Sequence, residues 1–437
     1  MRMQKRTNPS GSFTTSRRAT RTATALPAIV LALLMFPAQA AHGQVFSVLH
    51  SFAGGSDGEY PYAGVSVGSA GTLYGTAVQG GTHGDGVAFE LKQRGTGWIF
   101  TPLYEFGASN ADGRYPAGGI TVQSGVLFGT TANGGQGCSG LGCGTVYELR
   151  PPPTACKSAI CYYDETILWR FQGPDGAFPF YVTPIFDSSG NIYGTTMEGG
   201  AGGGFGTVWE LTPSSGGYIE NVLYSFINGN DGEFPSTSLI FDSSGNLYST
   251  TTAGIDMSGN TLFELSPSNG GWIENTVFSF WPVGGVEDAN NVIMDQSGNL
   301  YGALSTGGSG GSGVVYELMR TSGGWNISLL SNFPTNGGCA TPFAGVTLQG
   351  GNLYGTCLNG GAHGWGEVFE LSNTGGTWSL TDLYDFTDGS DGAAPSSNVV
   401  FDSHGNMFGT TVRGGDPSCN NGYGCGTVWE ITGLNDR

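Results

Sequence analysis

A four-part phrase recurs seven times along this chain: a strand ending in aromatic-x-Phe, an Asp-Gly-x-x-Pro turn, a Leu-Tyr-Gly-Thr strand and a Tyr-Glu-Leu strand. The third part begins at Leu73, Leu127, Ile192, Leu247, Leu300, Leu353 and Met407, at spacings of 54, 65, 55, 53, 53 and 54 residues. The fourth recurs from Phe89-Glu90-Leu91 to Trp429-Glu430-Ile431. A period near fifty residues without helical patterning restricts the chain to a propeller or a solenoid.

Each repeat holds four short apolar or alternating runs bounded by Gly, Asn, Asp or Pro, the pattern of four consecutive antiparallel strands. In the third repeat these are 183–187, 192–196, 206–211 and 219–226, and Asp187 to Asn191 predicts a tight hairpin in which Gly and Asn supply positive φ. The same turn stands at Asp242, Asp295 and Asp402. Gly194 and its equivalents Gly75, Gly129, Gly302, Gly355 and Gly409 lie inside strands, where glycine marks close approach of a neighbour, expected to be an aromatic ring of the next repeat. The phase of the repeat is informative as well. The chain after residue 44 opens on a copy of the fourth strand, 45–52, and closes on a copy of the third, 426–431. Pairing them closes a ring and removes exposed strand edges. The predicted fold is all-β: a seven-bladed β-propeller over 45–432 with four antiparallel strands per blade, blade 7 being 396–432 plus 45–52, followed by a short tail at 433–437. A six-bladed ring or an open solenoid is the alternative.

Residues 1–43 stand outside the repeats. Arg2, Lys5, Arg6, Arg17, Arg18 and Arg21 precede an apolar run from Ala25 to Phe36 and a small-x-small site, Ala38-Gln39-Ala40, the pattern of a secretion signal. The apolar run falls short of the ~20 residues that span a bilayer, and no later segment comes closer, so neither a membrane span nor a C-terminal anchor is expected. Six of the 15 basic residues and none of the 34 acidic ones lie in this leader, so its removal takes the net charge from −19 to about −25. Such a charge repels nucleic acid and anionic membranes. It is compatible with divalent cations and with neutral polysaccharide. Eight cysteines in an exported chain predict disulfides: Cys138 with Cys143, Cys156 with Cys161, Cys419 with Cys425, and Cys339 with Cys357. A structural zinc site is the rival, against the spacing and the lack of nearby ligand histidines.

Gly-Asn-Leu-Tyr-Gly-Thr-Thr, then Gly-Gly and Gly-Thr-Val-Tyr-Glu-Leu, most complete from Gly190 to Leu211, resembles the gloeo/verruco repeat of bacterial exported proteins. The resemblance covers nearly all of 45–432. It implies a secreted or cell-surface location and specifies no reaction.

Regularity filters the candidate site residues. A residue present in every repeat has seven equivalent environments, whereas a ligand site needs one asymmetric constellation. Glu90, Glu148, Glu210, Glu264, Glu317, Glu370 and Glu430 are therefore expected to serve structure, accepting from amides or hydroxyls between blades. Asp57, Asp112, Asp175, Asp231 and Asp391 head the five Asp-Gly-x-x-Pro turns, while Val286-Glu287-Asp288 and Gly338-Cys339 replace the motif in the other two. An Asx-type turn is the plain role for these aspartates. A ring binding calcium or another hard cation is the sharper one, although no Asp-x-Asp-x-Asp-Gly loop accompanies it. Asymmetric residues on the loops of the same face are the ligand candidates: His83, Arg114, Glu198, Trp281, Glu287, His363, Trp365 and Arg413. Tryptophan beside acids suits sugar stacking. No Gly-x-Ser-x-Gly elbow, His-Glu-x-x-His helix or phosphate loop is present, so catalytic residues are not assigned and no cofactor beyond calcium is implied. The expectation is a monomeric, non-enzymatic binding propeller for polysaccharide, cell-wall or protein ligands. The alternative is a polysaccharide hydrolase or lyase using Glu198, Glu287 or Asp416 near the channel mouth.

Overall fold

The computed structural model describes residues 43–434 apart from 139, 154–160, 228, 253–259, 282–289 and 335–336. The leader, Cys156, Glu287 and the end of the tail lie outside these residues. Seven four-stranded antiparallel sheets follow one another as the blades of a propeller. Blade 3 runs through Ile185–Phe186, Ile192–Thr196, Thr207–Ser214 and Gly217–Ser225, from the channel outward. Its first strand is shorter than the sequence pattern suggests and its third longer. Blade 7 pairs Val400–Phe401, Met407–Thr411 and Thr427–Thr432 with the N-terminal Val45–Ser51, in the register Val45 to Thr432 and Ser51 to Thr427. The ring is closed as expected.

Each part of the phrase corresponds to one packing contact. The Phe of aromatic-x-Phe ends one blade and lies against the third-strand aromatic of the next: Phe52 on Phe89, Phe106 on Tyr147, Phe171 on Trp209, Phe226 on Phe263, Phe280 on Tyr316, Phe333 on Phe369 and Phe386 on Trp429, with ring centroids 4.8 to 6.0 Å apart. These side chains are buried and form the core between blades. The strand glycine is explained by the same ring, with one correction. A Cβ at Gly75 would meet Phe89, and one at Gly194 would meet Trp209, so the covering aromatic belongs to the adjacent strand of the same blade, not to the next blade. The next contact outward is the one that crosses between blades.

The repeated Glu also acts within its blade. Glu210, Glu264, Glu317 and Glu370 accept the phenol hydroxyls of Tyr193, Tyr248, Tyr301 and Tyr354 at 2.7 to 3.0 Å. Where Phe128 replaces the tyrosine, Glu148 pairs with Arg150 at 2.8 Å instead. In the hairpins, Gly190 carries the positive φ and Asn191 does not, contrary to expectation. The Asn191 side chain instead donates to Asp187, which also accepts the Ser189 and Asn191 amides.

Successive blades are joined by a backbone latch. The residue before each turn proline adopts positive φ, between 54° and 61°, at Tyr60, Tyr115, Phe178, Phe234, Thr341 and Ala394. Its N–H donates to a carbonyl of the preceding blade, as Phe234 does to Phe205 at 2.9 Å. The proline then lies on the glycine opening the preceding blade's third strand: a Cβ at Gly206 would come within 2.5 Å of Pro235 Cδ. The junction of blades 4 and 5 breaks this pattern in the sequence on both sides, with Asn260 at the glycine position and no Asp-Gly-x-x-Pro motif following it.

The turn aspartates are tied into the same junctions. Asp231 accepts the Ile227 and Gly229 amides and the Tyr224 hydroxyl at 2.9 to 3.0 Å. Tyr104, Trp169, Tyr384 and His50 bond likewise to Asp112, Asp175, Asp391 and Asp57. The two repeats that lack the aspartate have Phe278 and Ser331 where the others place an aromatic or imidazole donor. In every blade a bulge in the outermost strand, between Val208 and Trp209 of its partner in blade 3, precedes this donor, and bulges re-aim the residues that follow. Replacing Asp231 by Ala is expected to lower stability by about 1–3 kcal/mol by stripping two amides and a hydroxyl of their acceptor. A thermal midpoint equal to wild type would contradict this role.

Candidate functional site

The loops between second and third strands share one face of the ring with the proline turns, and the central channel opens there. The channel mouth is a cavity of about 330 Å³ lined by residues that follow the prolines and by the innermost strands. Tyr62, Tyr181 and Phe343 bring aromatic rings from blades 1, 3 and 6, with Tyr181 5.9 Å from each of the other two. Asn290, Asn291 and Asn398 contribute amides, and serines and threonines fill the rest. Among the described residues, no Asp, Glu, Lys, Arg or His side chain lines it. The described lining is thus uncharged in a chain of strong negative charge.

The amides are held from blade to blade. Asn291 accepts the Ser238 amide at 3.0 Å, Ser238 Oγ accepts that of Thr183 at 3.0 Å, and Thr183 Oγ1 accepts that of Gly119 at 3.1 Å. Asn290 donates to the Pro342 carbonyl. Asn398 Oδ1 is buried and has no hydrogen-bond partner among the described residues.

The predicted ligand residues are spread around the rim of this face. Arg114 forms an ion pair with Asp85 at 3.4 Å, and His83 stands near Glu105, whose carboxylate accepts the Thr82 amide and the Tyr162 hydroxyl. Glu198 pairs through its backbone with Ala177, and Arg413 pairs likewise with Ala393. His363 and Trp365 sit on the blade 6 loop and Trp281 follows blade 4. Asp416 accepts the Ser418 amide, which lowers its carboxyl further. Glu198 and Asp416 thus belong to blades 3 and 7. Three tryptophan and tyrosine side chains on these loops are solvent-exposed: Trp281 at 49%, Trp365 at 39% and Tyr423 at 60%.

Blade 6 carries a constellation absent from the sequence-based candidates. Glu367 occupies the position held by Thr145, Thr207, Thr261 and Thr427 elsewhere, where each threonine hydroxyl meets a second threonine at 2.7 to 2.9 Å. It is 3% exposed, and one carboxylate oxygen from each of Glu367, Asp382 and Asp385 lies within 4.8 Å of the others. Burial, then the two aspartates, pushes the Glu367 carboxyl up to about 8, and burial with Asp385 raises Asp382. Glu367 therefore keeps its proton near neutrality. Among the described residues the trio is also the cluster of three carboxylates closest in form to a hard-cation site; the other two such groups contain disulfide sulfurs, and none includes a turn aspartate. The signal was visible as Gly-Glu-Val at 366–368 where the phrase has Gly-Thr-Val.

Three disulfides join Cys138 to Cys143, Cys339 to Cys357 and Cys419 to Cys425, with Cα atoms 5.2 to 5.7 Å apart. Cys161 is also disulfide-bonded, and its expected partner Cys156 lies outside the described residues. The Cys138 and Cys419 bridges fasten loops of this face.

A model of the Gloeobacter/Verrucomicrobia repeat matches residues 35–164, 159–290 and 288–437. The chain belongs to that repeat family. Among curated proteins none matches it in sequence. Of solved structures, the extracellular domain of a candidate one-component system from B. thetaiotaomicron is 14% identical with a TM-score of 0.50; the match covers 89% of this chain and 41% of that one, so this family member spans well under half of its length. An ulvan lyase of polysaccharide lyase family 25 is 11% identical with a TM-score of 0.49, covering 85% of this chain and 90% of the other. A candidate 6-phosphogluconolactonase from Bacteroides fragilis is 14% identical with a TM-score of 0.46, covering 79% and 87%. At these identities the likeness is one of fold. Among the described residues no helix of this family member is long and apolar enough to cross a membrane.

Proposed function

We propose that this protein is an exported binding propeller that holds polysaccharide on its loop-bearing face. The observation that carries this reading is the set of exposed rings, Trp281, Trp365 and Tyr423, standing on separate loops of one face. Their apolar bodies with polar tips suit stacking on sugar rings. The disulfides and the basic-apolar leader fit an oxidising compartment outside the cytoplasm. Strong negative charge disfavours polyanions and leaves neutral polymers as the favoured class.

A second reading, a polysaccharide-cleaving enzyme, is favoured by one observation: the Glu367 carboxyl stays protonated near neutral pH beside Asp382, below the His363-Trp365 loop. A proton donor beside a carboxylate is what glycoside cleavage needs, but the carboxylates here are closer than the ~5–5.5 Å typical of retaining enzymes. Incubating the mature protein with a panel of insoluble polysaccharides separates the two. Retention on a neutral polymer without new reducing ends is the expected result. New reducing or unsaturated ends that vanish in Glu367→Gln would establish the enzyme reading, and retention on no polymer would remove both.

A further inference from the structure

Blade 3 enters the channel with one residue more than its neighbours. Strand pairing marks the register: Thr121, Ile240 and Val400, opposite Phe128, Tyr248 and Phe408, each stand five residues beyond their proline, whereas Ile185, opposite Tyr193, stands six beyond Pro179. In keeping with this, Thr76, Thr195 and Thr356 donate to the carbonyls of Gly118, Thr237 and Ser397, each two residues beyond its proline. Thr130 donates to Val182, which is three residues beyond Pro179. The extra length is taken up at Phe180-Tyr181, and Tyr181 adopts φ +58° with no proline after it. A left-handed conformation at a tyrosine costs about 1–2 kcal/mol, whereas blades 1 and 6 place their positive φ on glycine, at Gly64 and Gly345. The insertion delivers the Tyr181 ring to the channel between Tyr62 and Phe343, while Ala117, Ser236 and Ser396 stand at the post-proline positions of blades 2, 4 and 7. All three rings are half-buried.

We infer that the channel mouth is a subsite for a single uncharged sugar ring, a chain end or a branch of the bound polymer, stacked among Tyr62, Tyr181 and Phe343. This rests on the polysaccharide reading above. The cavity of about 330 Å³ lies at the small end of the range of ligand sites, roughly 300–1,000 Å³. Apolar faces with a few convergent polar groups are what such sites consist of, and the buried Asn398 Oδ1, lacking a partner, is an acceptor for one sugar hydroxyl. A uronate or sulfate ester entering here would lose its hydration and, among the described residues, meet no cation or charged donor in exchange. The site therefore selects against charge by its own chemistry, in addition to any repulsion from the protein's overall field.

The test uses the mature protein, neutral oligosaccharides prepared from the retained polymer, and galacturonate oligomers, with affinities measured by calorimetry in about 0.5 M salt so that long-range repulsion is screened. Tyr181→Gly removes the ring and suits the left-handed backbone, so the fold is expected to be unharmed and its thermal midpoint equal to or above wild type. Affinity for the neutral oligosaccharide is expected to fall at least about tenfold in this variant, and charged oligomers to bind wild type at least about tenfold more weakly. Unchanged affinity in both Tyr181→Gly and Phe343→Ala, with loss in Trp365→Ala, would place binding on the rim and overturn the channel subsite while leaving the polysaccharide reading intact. Equal affinity for charged oligomers in high salt would also overturn it. Retention of no polymer by wild type would remove the parent reading instead.

Discussion

The thermal midpoint of the folded protein is expected to fall as pH rises from about 5 to about 8, which is opposite to the usual behaviour of an acidic protein with ion-paired carboxylates. Burial raises the Glu367 carboxyl from 4.5 to about 8, and burial followed by Asp175 and Asp231 raises Glu220 and Glu274 to about 7. Glu165 moves the same way, through burial and the neighbouring Asp112. Each folded-state value lies above the unfolded one. The folded protein therefore retains protons that the unfolded chain has released, and stability present below the unfolded value is lost as pH climbs through the folded one. For the buried Glu367 the loss is on the order of 2–4 kcal/mol. Glu105 and Asp187 shift downward despite partial burial, because hydrogen-bond donors outweigh it, so their contribution disappears in acid and sets the lower limit of the stable range. Glu367→Gln keeps the shape and removes the titration. It should flatten the curve and raise the midpoint at pH 8 by several degrees, roughly 2–4 °C for each kcal/mol. A wild-type midpoint that rises between pH 5 and 8, or a variant with the same slope, would sink the assignment.

The second large effect concerns the latch between blades. Gly206→Ala is expected to destabilise by about 2–4 kcal/mol, because it places a methyl 2.5 Å from Pro235 Cδ and imposes φ +100° on an L-residue. Gly84→Ala provides the contrast. Gly84 has φ +78° with no atom within 4 Å of the added carbon, so only the backbone cost of about 1 kcal/mol applies. Chemical denaturation of the pair measures the difference. Equal losses in the two variants would mean that proline packing contributes nothing at the junction.

The architecture was readable because every part of the phrase serves one contact, repeated seven times, and the copy of the outer strand at 45–52 announced closure. The direction of individual contacts was not readable. Alternation shows that an aromatic covers Gly194, yet a period of two cannot say whether Trp209 belongs to the same blade or its neighbour. The loss of the turn aspartate together with the donor at Phe278 and Ser331 is written in the sequence, but it acquires meaning only when Tyr224 is seen to reach Asp231 across a bulge. The channel was least legible. Tyr62, Tyr181 and Phe343 are scattered over more than half the chain, and the asymmetric residues that stand out in the sequence are charged and tryptophan side chains on the loops. A count of residues from each proline to its inner strand would have singled out Tyr181, and the replacement of threonine by Glu367 would have singled out blade 6.

The pairing of Val45–Ser51 with Thr427–Thr432 has a consequence for biogenesis. The outermost strand of blade 7 is synthesised before the six other blades, so it has no partner until Thr427–Thr432 has been made. Contacts of such sequence separation form slowly. Until then the early strand is open to pairing with another copy, and a chaperone that delays folding would protect it.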